Sequence, residues 1–306
     1  MLKIVTIFVL LTNFIIARTI TPNDVYAQVM LISEELHFLL KERKFSHNHA
    51  KIIANTYIKT ELKPRTAWQK TYEIMIKINI LRKSQNMPII EPINIEPMVR
   101  LTPDMVYEQT QRILTELKII EYRLDIKSKS HKIKKYTNKS PQDVFNGLSH
   151  VSASLDTLNK SSFTSTYVFG EAMRIYDDLT TILNHLNIKD KTIPSKKDSN
   201  ATPSNTFTTT ITLLNKISLL QKSVGIETVD FSSFIKKNPT PSDVFSMTQM
   251  VLAELQTIKA QIGLTYYITP AATTYTNKTP ADVNQLMNWN LRKILLIKNL
   301  GAKKYE

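Results

Sequence analysis

The chain contains no cysteine. That absence excludes a disulfide framework, thiolate zinc and iron–sulfur sites, and a cysteine nucleophile. Glycine is nearly as scarce, five in 306 residues, which leaves little room for Gly-rich phosphate loops or nucleophile elbows. Long apolar runs are few, and acidic charge is in deficit. There are 26 Asp and Glu against 40 Lys and Arg, for a net charge of +14. The apolar share of 42% and charged share of 22% belong to a globular chain rather than a disordered one.

The one notable apolar run begins after Lys3 and ends at Ala17. It is shorter than the ~20 residues a spanning helix needs. A basic start, an apolar stretch and a small terminal residue describe a secretory signal over residues 1–17, with cleavage after Ala17. An uncleaved anchor is the alternative. Removing this segment takes away only Lys3, so the charge of +14 falls by one. The expected location is the periplasm or the extracellular space. No transmembrane span is expected after signal removal.

A short pattern recurs along the rest of the chain. It reads Ser or Thr, then Pro, then a nearby Asp, then Val and an aromatic. Clear copies are Thr21-Pro22-Asn23-Asp24-Val25-Tyr26, Thr102-Pro103-Asp104-Met105-Val106-Tyr107 and Ser140-Pro141-Gln142-Asp143-Val144-Phe145. Thr240-Pro241-Ser242-Asp243-Val244-Phe245 and Thr279-Pro280-Ala281-Asp282-Val283-Asn284 continue it. Weaker copies begin at Lys63-Pro64 and Thr202-Pro203, and one without proline at Thr164-Ser165. A hydroxyl at the N-cap accepts a backbone N–H. Proline suits the first helical position, where its missing donor costs nothing. An acid in the first turn complements the helix dipole. Each copy therefore predicts a helix start, at Pro22, Pro64, Pro103, Pro141, Ser165, Pro203, Pro241 and Pro280.

The residues after each start have helical periodicity. Val25, Val29, Ile32, Leu36 and Leu39 lie on one face, as do Val144, Leu148, Val151 and Leu155. Gly225-Ile226, Gly263-Leu264 and Asn187-Ile188 read as stops. The starts recur every 38 to 42 residues, with one short interval of 24 between Pro141 and Ser165. The expectation is an all-α fold of about eight ~20-residue helices, in two related four-helix halves, 18–160 and 161–306. A tight turn near Lys160 to Thr164 would separate them, and a continuous solenoid is the alternative. Connections of about 15 extended residues reach ~50 Å, enough to return along a ~30 Å helix. Consecutive helices can therefore lie parallel with extended returns on the outside, and mobile spacers are the alternative. An extra short helix is expected within 46–62.

The Ser/Thr-Pro-x-Asp-Val-Tyr/Phe starts, the Gly-Ile helix end and the proline-containing returns resemble uncharacterised exported bacterial all-helical repeat proteins. The likeness covers nearly all of the mature chain, with Asn284 departing from the aromatic position. It implies the fold and the export route, and no activity.

Candidate chemistry is sparse. Lys127, Lys129, Lys132, Lys134, Lys135 and Lys139 crowd one connection together with His131. Such a stretch suits phosphate-bearing or otherwise anionic polymers. Lysine rather than arginine argues against bidentate recognition, and no nucleic-acid module is visible. His47 and His49 lack further ligands at metal-binding spacing. Asp177 and Asp178 are helix neighbours and should diverge. Tyr26, Trp68, Tyr107, Phe145, Phe169, Phe207 and Phe245 share one repeat position and are expected to pack the ends of the bundle. No catalytic, cofactor or metal residue is assigned. The expected function is an exported non-enzymatic scaffold or interaction protein, whose partner is a protein or an anionic envelope component. The alternatives are a polyanion-binding protein and a hydrolase with a site between the halves.

Overall fold

The computed structural model describes residues 19–43, 60–90, 94–98, 100–127, 132–159 and 163–300. Among these it forms eight α-helices: α1 Pro22–Glu42, α2 Pro64–Ser84, α3 Pro103–Arg123, α4 Pro141–Asn159, α5 Ser165–His185, α6 Pro203–Ser223, α7 Pro241–Gln261 and α8 Pro280–Ile294. A single 3₁₀ turn, Ser232–Phe234, interrupts one connection. Every expected start is the first residue of a helix. The expected short helix at 46–62 and the turn expected near Lys160 to Thr164 lie largely outside the described residues.

The helix starts work as the capping chemistry dictates. Thr240 Oγ1 accepts from the Asp243 N–H at 3.3 Å, and the Asp243 carboxylate accepts from the Thr240 N–H at 2.8 Å. The same reciprocal box closes α1, α6 and α8. The ends are equally regular. Asn86, Asp125, Asn187, Gly225 and Gly263 all take a left-handed φ one residue past the helix cap. The next residue then returns its N–H into the helix: Met87 to Arg82, Ile126 to Glu121, Ile188 to Leu183, Ile226 to Gln221 and Leu264 to Lys259, at 2.8–3.0 Å. This satisfies carbonyls that would otherwise be orphaned and tucks an apolar side chain under the last turn.

The apolar stripes form the core. Val25, Val29, Ile32, Leu36 and Leu39 are buried, as are Val144, Leu148, Val151 and Leu155. α1 packs on α3 and α4, and α2 packs on the same two helices. Likewise α5 packs on α7 and α8, and so does α6. α2 and α7 join the two groups.

Cross-helix hydrogen bonds give the directions. Gln28 near the start of α1 meets Tyr107 near the start of α3, and Asn290 and then Lys293 along α8 meet Ala172 and then Thr180 along α5. These neighbours run parallel. Between α2 and α7 the order reverses: Arg65 meets Glu254, Gln69 meets Gln249 and Glu73 meets Ser246. α2 and α7 are antiparallel. Parallel helices in one group require each connection to travel a full helix length, which is why 85–102, 124–140, 186–202, 224–240 and 262–279 are long. Two of these connections touch where Ile95 and Thr269 exchange both backbone hydrogen bonds, at 2.9 and 2.8 Å. No named strand occurs among the described residues, and no described helix is long and apolar enough to cross a membrane.

Candidate functional site

Charged and polar side chains are buried where helices meet. At the α2–α7 contact and beside it, Glu73 accepts from Lys70 at 2.7 Å, Ser152 at 2.5 Å and Ser246 at 2.7 Å. Lys77 reaches Ser152 and Asp156, each at 2.7 Å. Burial pushes the Glu73 carboxyl up, but Lys70, Lys77 and the Ser152 hydroxyl overcome it and hold it at about 2. Burial moves Asp156 the other way, upward. These serines, carboxylates and lysines are the groups a hydrolase would need. Here they answer one another across three helices as an interhelical clamp, and none of them lines the cavity at the starts of α2 and α3. A buried pair of this kind fixes which helix faces meet more than it adds net stability.

Two further clusters occupy matching places. Glu35 and Asp178 each lie thirteen residues beyond the first residue of α1 and α5. Lys118 and Gln256 each lie fifteen beyond the first residue of α3 and α7, and Glu121 and Lys259 eighteen beyond. In the first cluster Lys118 meets Glu35 at 2.6 Å and Glu121 at 3.2 Å. In the second, Lys259 and Gln256 both donate to Asp178 at 2.8 Å. Thr269 completes the second cluster: its hydroxyl donates to Asp178 and accepts from Lys259 and Gln256. Burial and the neighbouring Glu35 raise the Glu121 carboxyl to about 7.

A second correspondence precedes α4 and α8. Tyr136-Thr137-Asn138-Lys139-Ser140-Pro141 and Tyr275-Thr276-Asn277-Lys278-Thr279-Pro280 share a left-handed Asn. Tyr136 packs edge-on against Tyr26, and Tyr275 against Phe169, both at 5.0 Å. Lys139 and Lys278 then lie over those same α1 and α5 rings at 4.5 Å. This hexapeptide is visible in the sequence once the two starts are aligned, whereas the paired clusters emerge only when positions are counted from each helix start and the contacts are known.

The basic connection is partly described. Lys127, Lys132 and Lys135 are exposed and carry no ion pair among the described residues. Lys134 is exposed and pairs with Glu34 at 2.8 Å, and Lys139 is spent on the Tyr26 ring. Lys129 and His131 lie outside the described residues, as do His47 and His49. Asp177 is exposed while Asp178 is buried, so the neighbours diverge. The repeat aromatics pack inward. Phe145, Phe207, Phe245 and Trp68 are buried, and Phe163 stacks on Phe245 at 3.6 Å. The described residues contain no group of three His, Asp or Glu placed to hold a metal ion.

Two features among the described residues stand out at the surface. One is a cavity of about 600 Å³ where the starts of α2 and α3 meet the ends of α6 and α7. The other is a ridge at 266–268. Tyr266, Tyr267 and Ile268 are 92%, 58% and 48% exposed. They are nonetheless pinned, because Leu264 before them is buried and Thr269 after them is locked into the Asp178 cluster. Three consecutive exposed apolar residues are costly on a surface that only meets water. The ridge has no signal in the repeat pattern.

No protein-family model, no curated protein and no solved structure matches the chain.

Proposed function

We propose that the protein is an exported, non-enzymatic helical-repeat scaffold that binds a protein partner through the ridge at 266–268. The supporting observation is the rigid display of Tyr266, Tyr267 and Ile268 between two buried anchors, Leu264 and Thr269. Tyrosine supplies large contact area with few rotatable bonds and is enriched at binding hot spots. Pre-ordering the ridge lowers the entropy lost on binding. The export reading draws on the basic start and apolar run at 3–17. The two-halves reading, 18–160 and 161–306, draws on the matching clusters and the matching hexapeptides. A hydrolytic site between the halves has less to draw on, since Glu73, Ser152 and Ser246 are mutually satisfied and closed in.

The test compares mature wild type with Tyr266→Ser/Tyr267→Ser as bait against the exported fraction. Both residues are exposed, so the variant keeps the wild-type melting temperature. A protein retained by wild type and lost with the variant supports the reading. Equal retention by both contradicts it.

Lys127, Lys132 and Lys135 favour a second reading, an anionic envelope polymer as ligand. Retention on heparin that vanishes at high salt, and weakens when the three are changed to Ser, is its expected signature.

A further inference from the structure

The cavity is separate in chemistry from the ridge. Its floor is apolar, made by Trp68, Met98, Leu101 and Ala253. Its rim is polar and rich in cations. Arg65 is fixed there by Glu254 at 2.8 Å and by the Glu227 carbonyl at 2.6 Å. Lys63 is held by Glu61 at 3.0 Å and Glu227 at 2.9 Å. Arg100 is exposed and has no hydrogen bond or ion pair among the described residues. On the acidic side, Glu96 and Glu227 are both exposed, and Glu227 is already engaged by Lys63.

The backbone adds to this bias. α2 and α3 run parallel and both begin at the cavity, with Pro64 and Pro103 in its lining. Their positive dipole ends therefore converge. α2 starts from Lys63, where the other seven helices have Ser or Thr, so no side-chain oxygen screens its first turn. Thr102 makes no cap hydrogen bond at α3 either. An apolar floor of this volume beneath a rim with one uncommitted guanidinium suits a ligand with an apolar body and one negative end.

We propose that this cavity binds a small amphipathic carboxylate, its apolar body on Trp68, Met98 and Leu101 and its carboxylate on Arg100 at the mouth. Binding here is independent of the ridge, and ridge variants leave it unaffected. Fatty acids and short peptides ending in an apolar residue share this chemistry.

Calorimetric titration of the mature chain tests it with four probes below their aggregation limits: dodecanoate, N-acetyl-leucyl-leucine, acetate and dodecyltrimethylammonium. Saturable one-to-one binding of dodecanoate or of the dipeptide is expected, with no saturable binding of acetate or of the cationic detergent. Which carboxylate binds identifies the source. Arg100→Ala should weaken that binding about tenfold, the loss expected for one charge-assisted hydrogen bond, while Arg100→Lys recovers part of it. Arg100 is exposed, so the melting temperature of both variants stays at the wild-type value. Failure of both carboxylates to saturate overturns the proposal. So does equal binding of the cationic probe, or an affinity that Arg100→Ala leaves unchanged.

Discussion

Between α1 and α3, Glu35 and Glu121 face Lys118, while between α5 and α7, Asp178 faces Lys259 and Gln256. The six residues occupy three matching helical positions. In the second cluster the carboxylate meets a buried lysine, an amide and the Thr269 hydroxyl. In the first, a carboxylate stands where the second has lysine, and the ammonium sits on the half-exposed Lys118. The same three helical positions therefore carry two charge distributions. The second is closed and ties down a connection. The first leaves Glu121 with its proton near neutral pH.

Breaking the closed cluster should have the largest effect. Lys259→Met removes the buried cation and leaves Asp178 without its charge partner. The expected loss is about 3–5 kcal/mol in urea unfolding. A loss below ~1 kcal/mol would mean that the second cluster is no better balanced than the first.

The first cluster should respond in the opposite sense, and with pH. Glu121 holds its proton up to about pH 7 when folded. Unfolded, a glutamic acid releases it near 4.3. Between those values the folded chain binds more protons, so stability falls as pH rises. Glu121→Gln should therefore stabilise by about 2 kcal/mol at pH 8 and by almost nothing at pH 4. Melting curves of both proteins at the two pH values check this. An equal effect at both would remove the contrast.

Thr269→Val tests whether the connection is part of the second cluster. Loss of a buried hydroxyl shared by three partners should cost about 1–2 kcal/mol. It should also speed amide exchange at Ile95, whose N–H is bonded to the Thr269 carbonyl. The smallest contrast lies between two helix starts. Thr240→Ala removes a working cap from α7 and should cost about 1 kcal/mol. Lys63→Ala at α2 removes no cap and should stay within about 0.5 kcal/mol.

Much of the frame could be read from residue order, because capping is local. Thr-Pro and Ser-Pro with a nearby Asp mark helix starts by chemistry contained in four residues, and the five clear copies each begin a helix, as do the three weaker ones at Pro64, Ser165 and Pro203. Stops were legible where Gly or Asn187 takes the left-handed turn. Asn86 and Asp125 close α2 and α3 by the same geometry, but polar residues are common in helices and gave no warning. The long returns allow consecutive helices to run parallel, and α2 with α3 and α6 with α7 are compatible with it, since Arg82 meets Glu116 and Gln221 meets Thr257 within the second halves of both helices. What residue order hides is everything set by contact across the chain. The Glu73 clamp joins residues from three helices, and Thr269 reaches Asp178 from a connection with no repeat signal. The cavity likewise depends on α2 and α7 running in opposite directions, which no local pattern encodes.

The most direct test of the proposed role uses two exposed tyrosines. Tyr266 stands in the anchored ridge, while Tyr122, 83% exposed, stands near the end of α3 without an exposed apolar run beside it. A photo-crosslinking amino acid placed at each position, in cells producing the full chain, reports what each one touches. A discrete protein adduct is expected from position 266 and none from position 122. Equal labelling at both, or no adduct at 266 with the chain folded, would contradict a binding role for the ridge.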